Sequence, residues 1–317
     1  MVRAGNGRLW AAFILVAALL AACACAALAL DDGRAVGETW LDVDYVGDGV
    51  VGHRMDIYAP SEGTGPFPAV IMVYGSAWSN DDGKGVAGAL FAPSLCAAGL
   101  AAVSINHRAS WDAIFPAQIH DVKAAIRFIR ADATTYNIDP ERIGIVGGSS
   151  GGHLAALAGT SGAVGLYTVG EITMDLEGSL GDHVGTSSSV KSVVAACPPT
   201  DFLILNSCGS HYDHDAPESH ASRLIGGPIQ ENPEMCRLAN PVTYVDPTDP
   251  PFAFFHGALD TQVPVCQSAV LSWALLLAGV PVEYTIVDGV GHNNVVTPMV
   301  QRRIVEFFVK TLLEEGA

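Results

Sequence analysis

The chain has 317 residues, enough for one large α/β domain or two small ones, and its 50% of hydrophobic residues excludes a disordered protein. Its formal net charge is −17, and a field of that sign repels phosphate backbones, so nucleic acid is not an expected partner. The acidic residues are not concentrated in a tail, which indicates a soluble acidic surface and disfavours strongly anionic substrates.

The first thirty residues have the pattern of an export segment. Arg3 and Arg8 precede an uncharged run over residues 10–30. Three interpretations fit: cleavage at the small-x-small site 24–26, lipid attachment at Cys23 in a lipobox-like stretch, or an uncleaved membrane anchor. Each of them predicts that the rest of the chain is extracytoplasmic, whether secreted, periplasmic or tethered to a membrane through the N-terminus.

Apolar strand-like runs then alternate with helix-like segments along residues 31–317. The predicted strands are 67–74, 100–106, 142–146, 190–196, 252–256 and 282–287. The first, FPAVIMVY, is a continuous apolar run, as a parallel strand buried on both faces requires. The predicted helices are 118–130, 267–278 and 298–314. This alternation predicts an α/β fold with a mostly parallel central sheet flanked by helices.

Two regions depart from that alternation. Residues 41–45 and 54–58 alternate apolar and polar side chains, which predicts an antiparallel hairpin at the edge of the sheet. Between about 161 and 240, Ser, Gly, His and Asp dominate stretches such as 180–189 and 207–220. We therefore expect one catalytic domain, 31–317, with a loop-rich insertion over the active site.

A glycine-rich turn joins a predicted strand to a predicted helix in RIGIVGGSSGGHLAALA, residues 142–158. This is the setting of a nucleophile elbow, where a serine occupies a strained turn and small neighbours let the two backbones approach. Two overlapping G-x-S-x-G registers fit, one centred on Ser149 and one on Ser150. The apolar run ends at Val146, so the first register places the turn directly after the strand. We favour Ser149 as nucleophile, with the Ser150 N–H as an oxyanion donor.

A serine nucleophile needs a base that is oriented by an acid, and in this setting the chain order is Ser, acid, His. His292 follows the last predicted strand and Asp260 follows the preceding one, so both are expected at the carboxyl edge of the sheet. Asp201 remains an alternative acid, whereas Asp288 is too close to His292 in sequence. Structural roles are expected for the histidines at 107, 153, 183 and 256.

The second oxyanion donor should come from the loop after the first long parallel strand, YGSAW. The backbone N–H of Ser76 or of Ala77 is expected to supply it. Trp78 either lines the substrate pocket or packs in the interior. This chemistry requires no cofactor.

Cysteine and histidine usage gives no metal or redox motif. The candidate metal ligands in the insertion are Cys208, His211, Asp213, His214 and His220. No helix or strand organises them, so we expect a polar loop and no metal. The chain has seven cysteines, five of them after the leader and none in C-x-x-C, which predicts one or two disulfides and at least one free thiol. Cys208 with Cys236 is the expected pair.

The chain resembles the acetylxylan/feruloyl esterase branch of the α/β-hydrolases, near the hormone-sensitive-lipase-like esterases. The matching stretches are 74–78, 115–130, 137–157, 187–202, 240–268 and 288–292. The family's Ser-Ala-Gly-Gly-His aligns with residues 149–153, so the resemblance implies Ser149 as nucleophile, Asp260 as acid and His292 as base. It also implies the α/β-hydrolase fold and ester substrates, often acyl groups on plant polysaccharides.

One departure concerns the acyl site. The family often has His-Gly-Gly-Gly-Trp where this chain has Tyr-Gly-Ser-Ala-Trp. The two added Cβ atoms should crowd the site and abolish any glycine-only backbone angle, which favours acetyl or another short acyl group. We therefore expect a serine carboxylic-ester hydrolase acting on carbohydrate or other small esters. The alternatives are a serine peptidase of the same fold and a non-catalytic binding protein.

Overall fold

The computed structural model describes residues 35–314. The predicted leader, with its three interpretations, lies outside the described residues. Within the described part of the chain, no helix combines the length and apolar character needed to cross a membrane.

The strands of the described residues are β1 (Val36–Asp44), β2 (Arg54–Pro60), β3 (Phe67–Val73), β4 (Ala101–Ile105), β5 (Ile138–Gly148), β6 (Leu166–Val169), β7 (Ile172–Asp175), β8 (Ser192–Ala196), β9 (Phe252–Gly257) and β10 (Val282–Val287). All except β6 and β7 form a central eight-stranded sheet, in the order β1-β2-β4-β3-β5-β8-β9-β10. The β1–β2 and β2–β4 pairs are antiparallel, and the five other pairs in this sheet are parallel. The predicted mostly parallel sheet and its antiparallel edge hairpin are both confirmed.

Helices cover both faces of this sheet. They are α1 (Lys84–Ala97), α2 (Ala117–Ala131), α3 (Ser150–Thr160), α4 (His220–Ile225), α5 (Pro233–Ala239), α6 (Cys266–Leu277) and α7 (Pro298–Phe308). The helices predicted at 118–130 and 267–278 are confirmed as α2 and α6. The helix predicted over 298–314 is α-helical to Phe308 and continues as a π-helix over Val309–Glu314.

Side-chain alternation along each strand divides the interior into two layers. In β3 all seven residues are buried. Ile71 faces a layer that includes residues of α2, α3 and α6, whereas Val70 and Met72 face a layer that includes residues of α1 and α7. A strand covered on both faces has no solvated side, which is why its sequence is continuously apolar.

The structure divides the predicted insertion into two segments, because β8 lies within residues 161–240 and is a central strand of the sheet. The first segment, 161–191, contains the small β6–β7 hairpin. The second segment, which follows β8 and precedes β9, contains α4 and α5.

One disulfide joins Cys208 in the second segment to Cys266 at the start of α6. The expected pairing of Cys208 with Cys236 is wrong. The Cys236 side chain is fully buried in α5, where its thiol donates to the carbonyl of Ile229 at 3.4 Å. Cys96, Cys197 and Cys236 are buried free thiols. The disulfide therefore anchors the insertion to the main body of the domain.

Candidate active site

Ser149 occupies the tip of a sharp turn between β5 and α3. Its backbone lies at φ 54° and ψ −123°, a region that costs a non-glycine residue about 1–3 kcal/mol. The turn closes tightly, since a Cβ on Gly147 would lie 2.1 Å from the carbonyl oxygen of Gly151. A Cβ on Gly151 would lie 2.2 Å from the carbonyl oxygen of Val73. The predicted elbow is therefore present, and its strained residue is Ser149.

A hydrogen-bonded series of three side chains begins at this serine. The Ser149 Oγ lies 2.8 Å from Nε2 of His292, and Nδ1 of His292 lies 2.6 Å from Oδ2 of Asp260. The other carboxylate oxygen of Asp260 accepts the backbone N–H groups of Gln262 and Val263, both at 2.9 Å. His292 follows β10 and Asp260 follows β9, at the carboxyl edge of the sheet. The structure thus brings together the three residues that the sequence singled out.

A second imidazole reaches the same carboxylate. Nε2 of His256 lies 3.3 Å from Oδ2 of Asp260 and 2.8 Å from the carbonyl oxygen of Val263, while its Nδ1 pairs with the Ser268 hydroxyl at 2.7 Å. The ring is fully buried at the end of β9. The sequence predicted a structural role for His256, but its contact with Asp260 depends on tertiary packing.

These contacts shift the ionisation of the acid and the base in opposite directions. Burial raises the pKa of Asp260, but the hydrogen bonds from His256 and His292 outweigh it and lower the pKa well below its ordinary value. Burial lowers the pKa of His292, but its interactions with Asp260 and Cys197 together outweigh burial and raise the pKa above 6.5. Asp260 is therefore anionic at neutral pH, and it stabilises the protonated form of His292.

In the loop of residues 74–78, the oxyanion loop, the structure excludes one of the two expected donors. The Ser76 N–H already donates to the Ser150 hydroxyl at 2.9 Å, so it is not free to bind an oxyanion. Ala77 lines the same cavity as Ser149 and Ser150. Within residues 35–314, the backbone N–H groups of Ala77 and Ser150 donate to no protein acceptor. These two groups, rather than that of Ser76, are available to a ligand.

Two residues of this loop have left-handed backbones although each carries a Cβ. Ala77 has φ 52° and Trp78 has φ 56°. Such a conformation costs roughly 1–2 kcal/mol per residue, which the surrounding packing must offset. The Cβ of Ala77, where the family often has glycine, therefore does not exclude a left-handed backbone; the expected loss concerned only angles that glycine alone adopts.

Trp78 both packs and lines the cavity, so the two expectations for it hold together. Only 4% of the residue is exposed, and its indole N–H donates to Nδ1 of His153 at 3.2 Å. The other nitrogen of His153 donates to the carbonyl of Ala239 at 2.8 Å. Burial lowers the pKa of His153 to about 4, so this imidazole is neutral. It connects the oxyanion loop to the insertion.

A cavity of about 290 Å³ opens above Ser149 and His292. The elbow, the loop of Ala77 and Trp78, and the second insertion segment all contribute to its walls. The insertion contributes Leu205, Tyr212, Asp213, His214, Ser219, His220 and Ala221. The predicted placement of the insertion over the site is therefore confirmed for its second segment.

Asp201, the alternative acid, lies elsewhere in the hydrogen-bond network. Its Oδ1 accepts the backbone N–H of Leu203 at 3.1 Å and the side-chain amide of Asn240 at 2.9 Å. Asp201 thus caps the 3₁₀-helix of residues 202–208 and holds the insertion in place. Asp260, and not Asp201, is hydrogen-bonded to His292.

The predicted polar cluster of the insertion does not converge on one point. Cys208 is disulfide-bonded, and Nε2 of His214 is taken by the Gln262 carbonyl at 2.9 Å. Among residues 35–314, the one group of three convergent metal-ligating side chains is Cys197, Asp260 and His292. The ring and the carboxylate in that group already bond to each other, which leaves no gap for an ion between them.

Several known proteins that are similar to this chain are named esterases. Residues 55–275 match the BD-FAE family. Esterase LipQ of Mycobacterium tuberculosis is 32% identical over 78% of this chain and 55% of its own length. A truncated carbohydrate esterase from gut microbiota superposes with a TM-score of 0.83 at 39% identity, covering 88% of this chain and 97% of that one. A bifunctional GH43-CE protein of Bacteroides eggerthii gives 0.82 at 44% identity, over 86% of this chain and 38% of that one. The chain spans about half the length of the curated relatives it matches.

Proposed function

This chain belongs to the BD-FAE family and has the α/β-hydrolase fold, and from this membership we propose that it is a serine carboxylic-ester hydrolase. One observation carries the proposal: a strained serine, an imidazole and a buried carboxylate are hydrogen-bonded in series at the floor of a cavity. That arrangement activates a hydroxyl for attack on an acyl carbon. The relatives' names support ester hydrolysis rather than peptide hydrolysis.

In the proposed mechanism the Ser149 Oγ attacks the ester carbonyl while Nε2 of His292 takes the hydroxyl proton. The backbone N–H groups of Ser150 and Ala77 hold the oxyanion of the tetrahedral intermediate, each typically lowering the barrier by about 3 kcal/mol. His292 then gives the proton to the leaving alcohol oxygen, which leaves an acyl-serine. Water attacks this acyl-enzyme by the same route, with Asp260 stabilising the charged imidazole in each half-reaction.

The proposed substrates are short acyl esters, of acetyl type, on carbohydrates or other small alcohols. Two observations support this choice. The similar structures at 39% and 44% identity include a carbohydrate esterase and a GH43-CE protein. The cavity of about 290 Å³ must hold parts of both the acyl and the alcohol groups, and Ala77 adds a Cβ to its wall.

We also propose that the enzyme acts outside the cytoplasm. The export pattern of residues 1–30 supports this location, with tethering through the N-terminus as one of its forms. The Cys208–Cys266 disulfide supports it independently, because disulfides persist mainly in oxidising compartments.

The test is hydrolysis of p-nitrophenyl esters of increasing acyl length by the purified protein and by Ser149→Ala. We expect turnover that is fastest for acetate, declines with acyl length and disappears in the variant. No turnover of any ester by the wild-type protein would refute the proposal and favour the non-catalytic binding protein. Turnover that rises with acyl length would refute the short-acyl substrate alone.

A further inference from the structure

An exposed indole ring stands beside the catalytic cavity, in the loop of residues 106–116 that follows β4. Trp111 is 64% exposed. The Arg223 guanidinium lies over this ring, 3.4 Å from its centroid. Because the guanidinium occupies one face, the exposed area is that of the other face and the ring edge. An open aromatic face of this kind can pack against a flat apolar surface of a ligand.

The loop that carries this ring is tied down on both sides of it. The Ser110 N–H donates to the Trp78 carbonyl at 2.6 Å, and the Phe115 N–H donates to the Leu224 carbonyl at 2.8 Å. A flat side chain that is already oriented loses little conformational entropy when a ligand covers it. The ring of Trp111 is therefore preorganised for stacking.

Short contacts connect the ring to the cavity wall. Arg223 lies one helical turn after His220 in α4, with Nη1 3.4 Å from Nδ1 of that imidazole. The same Nδ1 pairs with the Ser79 hydroxyl at 2.8 Å, and His220 lines the cavity. Arg223 alone therefore separates the ring of Trp111 from His220 at the cavity wall, which places the ring within one side chain of the cavity.

We propose that the open face of Trp111 is a subsite for a sugar ring in the alcohol part of a carbohydrate ester. This inference rests on the proposed ester hydrolysis and adds the recognition of the leaving group. A pyranose presents a flat face of C–H groups, which pack against the negative face of an aromatic ring. The hydroxyl groups at its rim stay in water or meet polar neighbours such as Arg223 and the adjacent Asp112, whereas an alkyl chain there would displace water from those charges without replacing its hydrogen bonds.

The test compares two acetyl esters that differ only in the alcohol: p-nitrophenyl acetate and an acetylated xylo-oligosaccharide. We expect Trp111→Ala to raise KM for the oligosaccharide ester about tenfold, equivalent to about 1.4 kcal/mol, with kcat little changed. KM for p-nitrophenyl acetate should stay within about twofold of the wild-type value, since that substrate ends inside the cavity. Trp111→Phe should recover most of the loss because it keeps a flat ring.

The chain offers a matched control in Trp273, which is 65% exposed on α6 and does not line the cavity. Trp273→Ala should leave KM for both esters unchanged. Binding is measured separately by titrating the Ser149→Ala protein with unacetylated xylotetraose and recording its tryptophan fluorescence. The fluorescence change should disappear in the double variant that also carries Trp111→Ala.

The possible results separate the subsite from the ester hydrolysis on which it rests. An equal rise in KM for both esters in Trp111→Ala, or no rise for either, would overturn the subsite. Wild-type protein that cleaves p-nitrophenyl acetate but neither cleaves the acetylated oligosaccharide nor binds xylotetraose would also overturn it, with ester hydrolysis intact. Wild-type protein that cleaves neither ester would refute the proposed function itself.

Discussion

Replacing Gly151 by alanine tests whether the close approach of α3 to the end of β3 holds the oxyanion site together. The new Cβ would lie 2.2 Å from the Val73 carbonyl oxygen and 2.5 Å from that of Tyr74, whereas ordinary contact begins near 3.4 Å. The two backbones must separate by about 1 Å, since neither atom belongs to a flexible side chain. Overpacking of this kind costs roughly 1–3 kcal/mol, more than the 0.8–1.0 kcal/mol that alanine gains over glycine in a helix.

The same movement separates the two oxyanion donors, because one precedes Gly151 in α3 and the other follows β3. A misplacement near 1 Å can cost about 10²-fold in rate, so kcat for p-nitrophenyl acetate should fall by about that factor. The melting temperature should drop by roughly 2–10 °C. Gly148→Ala is the matched control, because its Cβ would meet nothing within 4 Å and its φ is not positive. Equal kcat and melting temperature in both variants would refute the packing argument.

Three further variants test the hydrogen bonds and the disulfide. Asp260→Asn should lower kcat/KM by about 10⁴-fold. The acidic limb of its pH–rate profile should move to lower pH, because the carboxylate that raises the pKa of His292 is gone. An unmoved limb would contradict the pairing of Asp260 with His292 as the catalytic base. Ser150→Ala removes the hydroxyl that accepts the Ser76 N–H, a hydrogen bond worth about 1 kcal/mol, so kcat should fall roughly five- to tenfold at nearly constant KM. A loss as large as that of Ser149→Ala would indicate that Ser150 is the nucleophile. Replacing Cys208 and Cys266 by serine reopens a 58-residue span and should lower the free energy of unfolding in urea by up to about 4 kcal/mol; a change below about 1 kcal/mol would show that the link adds little.

Local patterns were sufficient to predict the sheet, the elbow and the three hydrogen-bonded side chains. Continuous apolar runs mark strands that are buried on both faces, and the end of one such run at Val146 favoured a turn at Ser149, where the structure has it. Asp260 and His292 each follow a parallel strand directly, and parallel strands end at one edge of the sheet. Chain order then assigned their positions.

The errors concern one helix with an irregular local pattern and several features that depend on distant segments. Helix α1 was not predicted, because it contains Pro93 and its apolar residues follow no clear helical period. Neither the burial of the Cys236 thiol nor the hydrogen bond from Ser76 to Ser150 leaves a trace in residue spacing. Trp111 was not singled out from the sequence, since its exposure and its contact with Arg223 exist only in the folded chain.

The central claim, that Ser149 is an activated nucleophile, is tested most directly by labelling with a fluorophosphonate. Such a probe reacts with a serine only when a base activates it. We predict one adduct on the wild-type protein, located by peptide mass spectrometry at Ser149, retained in Ser150→Ala and absent in Ser149→Ala. An adduct on Ser150, or no adduct on a folded wild-type protein, would contradict the account.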